Sequence, residues 1–262
     1  LVNASTSRFY RLQLEDHPFY LIATDGGAIA EPVELSELLL SPGERAEVLV
    51  QGNRTPGQYR LLNLPYDRGG MGMMGNGMMG GMMGGMRRRN LRDSSQNTQI
   101  IATVAYQGAI ATPLPLPQKL LTVESLSDPI ATRRIEMSMS MGMGSGMGMR
   151  TVMAFLFNGQ EFDMNRVDAS VKLGTIEDWD LVNVEPDGME HSFHLHTNPF
   201  QVVSRNGQPD PYSAWEDTVR VRANETVRIR IPFRDYAGKT VYHCHVLDHE
   251  DLGMMGMVEM QE

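Results

Sequence analysis

The segment VYHCHVLDHEDLGMM, Val241 to Met255, holds the only cysteine of the chain, Cys244, and three of its seven histidines, His243, His245 and His249. Thiolate, imidazole and thioether are the groups that soft and borderline metal ions select. In a strand, alternate side chains point to opposite faces. If YHCH ends a strand, Cys244 faces one way and His243 and His245 the other, so one short segment can serve two metal centres. A second cluster, DGMEHSFHLHTNPF, runs from Asp187 to Phe200. There His194 and His196 share a face if HLH is extended, and His191, three residues earlier, can point elsewhere. The histidines thus sort into two interleaved sets, His191, Cys244, His249 and Met254 against His194, His196, His243 and His245.

The first set has the donors of a blue-copper site: two imidazoles and a thiolate in a plane, with a weak axial thioether. Zinc is the rival, but zinc sites favour closely spaced cysteine pairs or three ligands plus water, and have no use for a thioether. A buried free cysteine among unrelated histidines is the bland alternative. Six of seven histidines in two short segments, flanking the one thiol on both sides, argue against it. His17, alone in LEDHPFYL, reads as a strand or turn histidine with no metal role.

These donors need rigid strands to hold them, and the chain is rich in strand signals. Period-two alternation is common and helical periodicity scarce. TVRVRANETVRIRIPF, Thr218 to Phe233, alternates valine and isoleucine with arginine and predicts a half-buried hairpin with its arginines towards solvent. SRFYRLQL, PFYLIATDGG, ERAEVLVQG, GQYRLLNL, NTQIIATVAYQG and VKLGTIEDWDLVNV predict further strands between Gly, Pro, Asn and Asp turns. Many short strands at this spacing predict an all-β chain of two sandwiches. The proline-rich ATPLPLPQ predicts a linker. The expected division is a first domain over residues 1–110, incomplete at its N-terminus, a linker over 111–129 and a second domain over 130–262.

Two stretches depart from this pattern. MGMMGNGMMGGMMGGM, Met71 to Met86, holds eight methionines, and MSMSMGMGSGMGM, Met137 to Met149, holds six, of 21 in the chain. Glycine predicts flexibility in both. A disordered linker normally avoids apolar side chains, so flexible thioethers suit a soft cation, above all Cu(I).

The bulk numbers set bounds. The chain has 262 residues, enough for about two ordinary domains, and a net charge of −9. That charge disfavours a nucleic-acid partner. No run of apolar residues is long enough to span a membrane.

On HSFHLH and HCHVLDHEDLGMM, the chain resembles the multicopper oxidases. ATDGGAIAEPVELSELLLSPGERAEVLV, Ala23 to Val50, is similar to the middle domain of the bacterial three-domain members, the laccase and cuprous-oxidase group. The resemblance implies two cupredoxin-like Greek-key sandwiches and copper as cofactor. It implies type 1 copper at His191, Cys244, His249 and Met254, type 2 copper at His194, and a type 3 pair served by His196, His243 and His245. It further implies a substrate copper near Asp187 and Met189, and a role for Glu250 in proton delivery to dioxygen. The implied partners are dioxygen and a Cu(I) or phenolic donor. The family's trinuclear centre uses eight histidines, four of them on an N-terminal domain. Only four are available here, so that domain is expected to be missing and this chain alone inactive towards dioxygen. The resemblance also implies a place in copper tolerance, with periplasmic or extracellular location. A non-enzymatic copper carrier and a copper-free scaffold are the competing classes. The complete type 1 set opposes the scaffold, and the second histidine set opposes a pure carrier.

Overall fold

The computed structural model describes residues 1–69, 97–110, 112–143, 151–185 and 189–262. In chain order the strands among them are β1 (Tyr10–Leu14), β2 (Phe19–Thr24), β3 (Gly27–Leu35), β4 (Leu38–Leu40), β5 (Glu47–Leu49), β6 (Gly57–Leu64), β7 (Gln99–Tyr106), β8 (Ala131–Met143), β9 (Thr151–Phe157), β10 (Ala169–Lys172), β11 (Thr175–Asn183), β12 (His191–Leu195), β13 (Gln201–Arg205), β14 (Gln208–Pro209), β15 (Thr218–Val221), β16 (Thr226–Phe233), β17 (Gly238–Cys244) and β18 (Met255–Gln261). A short helix, α1 (Leu247–Asp251), lies between the last two. The expected all-β class is what is found.

Strands β1 to β7 form a four-stranded sheet, β4-β1-β6-β7, and a three-stranded sheet, β3-β2-β5. Leu12, Leu14, Phe19, Leu21, Ile29 and Leu40 fill the space between them. The rest of the chain forms a five-stranded sheet, β10-β18-β17-β12-β15, and a six-stranded one, β14-β13-β16-β11-β8-β9. Their shared core holds Trp179, Leu181, Phe193, Val219, Ile229 and Tyr242, and Cys244 sits inside the same cluster. Burying each large apolar side chain here contributes about 1.5–3 kcal/mol. The two donor-bearing strands, β12 and β17, are antiparallel neighbours in the interior of the five-stranded sheet, with Phe193 opposite Cys244 and His194 opposite His243.

Three expectations need correction. Thr218 to Phe233 is not a hairpin: β15 pairs with β12, whereas β16 pairs with β11 and β13. The turn between them, closed by Glu225 accepting from Arg222 N at 2.8 Å, carries the chain from one sheet to the other. Val219 and Val221 therefore meet Val227, Ile229 and Ile231 across the core, and period-two alternation looks the same in either arrangement. Arg228 and Arg230 lie opposite Asp180 and Asp178 in register and bond them in pairs at 2.7–3.0 Å.

VKLGTIEDWDLVNV is two strands in different sheets, broken at Gly174, whose φ of +78° suits glycine. The third correction concerns the second methionine tract. Met137 to Met143 belong to β8 and pair with β9, and Met137 is fully buried in the core. The paired backbone and the period-two placing of Met137, Met139 and Met141 make this part a strand, despite its glycines. Residues 144–149 of that tract, and the whole of Met71 to Met86, lie outside the described residues.

Candidate metal centres

Strand alternation divides the donors. Along β12, His191, Phe193 and Leu195 are buried on the core face and His194 points to the other. Along β17, Cys244 joins the core and His243 turns away. His191 and Cys244 meet His249, which α1 presents. His191 Nδ1 and His249 Nδ1 are 3.1 Å apart, and Cys244 Sγ lies 3.7 Å from the first and 3.6 Å from the second. A first-row ion about 2.0 Å from nitrogen and 2.3 Å from thiolate sulphur sits among donors at such separations. All three residues are buried. His191 Nε2 has no hydrogen-bond partner among the described residues, and the Phe155 ring lies edge-on to this imidazole, 6.4 Å between centroids.

Burial shapes the charge states. It lowers His191 to about 3, helped by the Arg68 guanidinium, and lowers His249 well below the usual imidazole range, with His191 and Arg68 adding to the effect. It pushes the Cys244 thiol up to about 12. Without metal the trio is thus two neutral imidazoles and a neutral thiol. Phe155 stacks on the His249 ring, 4.0 Å between centroids at 16°. Met254 is fully buried in the same cluster. Its backbone bonds both neighbours in the set, donating to His249 O at 3.0 Å and accepting from Cys244 N at 3.1 Å. Met189 is buried in this apolar cluster too. Asp187 lies outside the described residues.

On the opposite face, donor atoms of His194, His196 and His243 lie within 4.8 Å of one another. His196 Nε2 and His243 Nε2 are 3.1 Å apart. His243 Nδ1 bonds Cys244 O at 3.1 Å and His194 Nδ1 bonds Asp217 O at 2.8 Å. A carbonyl can only accept, so both rings carry their proton on Nδ1 and offer the Nε2 lone pair. This is the usual way a second contact fixes a ligand tautomer. Burial lowers His243 to about 4, with the other three histidines adding to the effect. It also lowers His196 and His245. His245 lies beside this group, 5.6 Å ring to ring from both His194 and His243, and its buried Nδ1 has no hydrogen-bond partner.

The remaining site residues separate cleanly. Glu250 Oε2 lies 3.8 Å from His243 Nδ1, and burial followed by the charge of Asp251 raises its carboxyl. His17 is apart from both groups. Its Nδ1 meets Glu15 O at 2.6 Å and its Nε2 meets Tyr106 Oη at 3.0 Å. Sequence reasoning missed Phe155, Gly43 and the pair Arg45–Asp217, described below. No motif marks them, because each meets its histidine only through the fold.

Comparison with known proteins agrees with this geometry. Residues 134–262 match one family model described as multicopper oxidase, and residues 1–79 match a second with the same description. The multicopper oxidase mco of Staphylococcus haemolyticus is 26% identical over 265 residues, covering 99% of this chain and 47% of that protein. The laccase of Bacillus subtilis is 25% identical over 285 residues, covering 100% of this chain and 50% of that one. Among solved structures, a multicopper oxidase from Campylobacter jejuni described as a metallo-oxidase superposes with a TM-score of 0.79 at 33% identity, covering 100% of this chain and 52% of that one. The fold is thus cupredoxin-like, and the chain belongs to the multicopper oxidase family. Copper is the cofactor this membership implies, and the donor sets fit it. The chain spans about half the length of the curated relatives it matches. Among the described residues no helix is long and apolar enough to cross a membrane.

Proposed function

We propose that this chain is the second and third cupredoxin-like domains of a bacterial three-domain multicopper oxidase, divided into residues 1–110, a linker at 111–129 and residues 130–262. The whole enzyme would oxidise its donor one electron at a time and reduce dioxygen to water. One observation carries this reading: His243 and Cys244, adjacent in sequence, enter different donor groups. Copper, when bound, supplies the one-electron and dioxygen chemistry. His191, Cys244 and His249, with Met254 as the weak fourth donor, would hold the type 1 ion. His194 would serve the type 2 ion, and His196, His243 and His245 the type 3 pair. Cys244, bonded through its own backbone to the two histidines that flank it, would link the type 1 ion to the type 3 pair.

Glu250, beside His243 and partly shielded from water, would relay protons, because four must reach dioxygen for each molecule reduced. In this reading the other four histidines would come from a further domain, in keeping with relatives about twice this length. Four imidazoles are too few for a centre that needs eight, so the chain alone should not reduce dioxygen.

Cu(I) is the preferred donor. The thioether-rich Met71–Met86, with Asp187 and Met189 four and two residues before His191 in sequence, supports it, as does the description of the Campylobacter jejuni protein as a metallo-oxidase. The strand placement of Met137 to Met141 leaves less of the second tract free for recruitment. The setting that follows is copper tolerance in the periplasm or outside the cell. Phenol oxidation is the second reading, favoured by relatives named laccase. A copper carrier has no need of the second histidine group.

The test begins with the chain itself. Loaded with copper it should be blue, and Cys244→Ser should abolish the colour; an unchanged spectrum refutes the type 1 assignment. In the full-length enzyme, deleting Met71 to Met86 should lower Cu(I) oxidation more than phenol oxidation. Equal losses would favour the phenol reading.

A further inference from the structure

We propose that Arg45 and Asp217 are a positioning pair for His194, so that a residue from the first sheets sets how a ligand on the last ones is presented. This rests on the reading of His194 as a metal ligand. The hydrogen bonds fix the logic. His194 Nδ1 lies 2.8 Å from Asp217 O and 3.0 Å from Thr218 Oγ1. Thr218 Oγ1 donates its own proton to Asp217 Oδ1 at 2.8 Å, so towards His194 it can only accept. Both contacts therefore require the proton on Nδ1 and leave the Nε2 lone pair for metal.

The Asp217 carboxylate that orders Thr218 is itself gripped. Arg45 Nη1 donates to Oδ1 and Nη2 to Oδ2, each at 2.7 Å. Such a two-pronged arginine–carboxylate contact fixes the carboxylate plane as well as its charge.

Arg45 is held in turn by Asp25. Arg45 N donates to Asp25 Oδ1 at 2.6 Å and Nη2 to Asp25 O at 3.0 Å. The other oxygen, Asp25 Oδ2, accepts Thr218 N at 3.2 Å. Asp25, Arg45, Asp217 and Thr218 thus close a ring that spans both sets of sheets and ends on the His194 imidazole. The same loop reaches a second histidine: Arg45 Nη1 also bonds Gly43 O at 3.2 Å, and a side chain at Gly43 would collide with the His245 ring. The contact places the orienting group one shell behind the ligand, where loss of such a partner typically costs 10–100-fold in metal affinity.

The experiment uses this chain as it stands. Nitrogen-15 NMR of the histidine rings reports the tautomer of each, and Zn(II), which binds imidazole without redox chemistry, reports affinity through the shifts of His194, His196 and His243. Metal-free wild type should hold His194 as the Nδ1–H form. Arg45→Met and Asp217→Asn should turn it into a mixture and weaken Zn(II) at this group tenfold or more, leaving the His191 and His249 signals unchanged. Arg45→Lys, which keeps the charge without the fork, should fail to restore the wild-type tautomer. Folded variants with His194 still wholly Nδ1–H and with unchanged Zn(II) affinity would overturn the proposal. If Arg45→Met does not fold, the near-isosteric Asp217→Asn decides alone by the same criterion. Wild type in which Zn(II) leaves His194 unmoved would overturn instead the ligand reading on which the pair depends.

Discussion

Copper binding to the His191–Cys244–His249 group should depend on pH with a slope set by one proton. The metal takes the thiolate, and metal-free Cys244 is a thiol pushed from 9.0 to about 12 by burial. At about 1.36 kcal/mol per tenfold, that rise makes the free thiolate costlier by about 4 kcal/mol. The imidazoles act differently. His191 lies at about 3 and His249 is lowered by the same burial, so both are already neutral above pH 5 and have no proton to release. Ordinary histidines, near 6.5, would add up to two more protons below that value. The logarithm of apparent affinity should therefore rise by about one per pH unit from pH 5 to 9, without steepening at the acid end. Between pH 6 and 9 this amounts to about a thousandfold. The assay is anoxic competition for Cu(I) against a chromophoric chelator, with Cys244→Ala subtracting ions held by the other histidines. A slope near zero would mean the thiol is not a ligand. A slope approaching two or three below pH 6.5 would mean that the imidazoles are not shielded as the structure has them.

Three other substitutions test separate parts of the structure. Met254→Leu should retain copper and raise the reduction potential, since a weak axial donor tunes the metal more than it holds it; loss of copper on that change, read by metal analysis, would contradict the assignment. Gly43→Ala should lower stability by about 2–5 kcal/mol in urea unfolding, adding roughly 1–2 for a left-handed backbone to roughly 1–3 for overpacking, because φ is +87° and the new methyl would lie 2.4 Å from His245 Cδ2. Glu44→Gln tests a half-buried acid whose carboxyl desolvation raises from 4.5 to about 7. A carboxyl raised on folding favours the native state fully below its unfolded value and loses that contribution as pH climbs through the folded one. Stability should thus fall by up to ~3 kcal/mol between pH 4 and 8 on account of Glu44, and the glutamine variant should flatten that part of the profile.

What could be read in the sequence was what depends on local geometry. The sorting of Cys244 from His243, and of His191 from His194, needs only the period of a strand, and β12 and β17 supply it. The partner of a strand is not local, which is why Thr218 to Phe233 read as a hairpin although its halves lie in opposite sheets. Composition misled in a similar way at Met137, where glycine and serine among the methionines suggested freedom but pairing with β9 and burial in the core decided otherwise. The supporting residues were out of reach for a plainer reason. Arg45 and Asp217 are 172 residues apart, each is an ordinary charged residue, and only the packing of the two sets of sheets turns them into neighbours of His194.

That packing also explains how a single thiol could serve two donor groups. Cys244 is sealed in the apolar core, where among the described residues its sulphur lies within bonding reach of the His191 and His249 imidazoles. Its carbonyl faces the other way and accepts from His243 Nδ1. The covalent link from sulphur to the far histidine group therefore runs through the backbone and is doubled by one hydrogen bond. Strand β17 holds that backbone on both sides, against β12 and against β18. A helix could not do this, because successive side chains there diverge by about 100° rather than 180°. The fold class and the chemistry are thus one constraint: donors that must face apart at adjacent positions require a strand, and a strand that must be dry on one face and reach a metal group on the other belongs inside a sandwich.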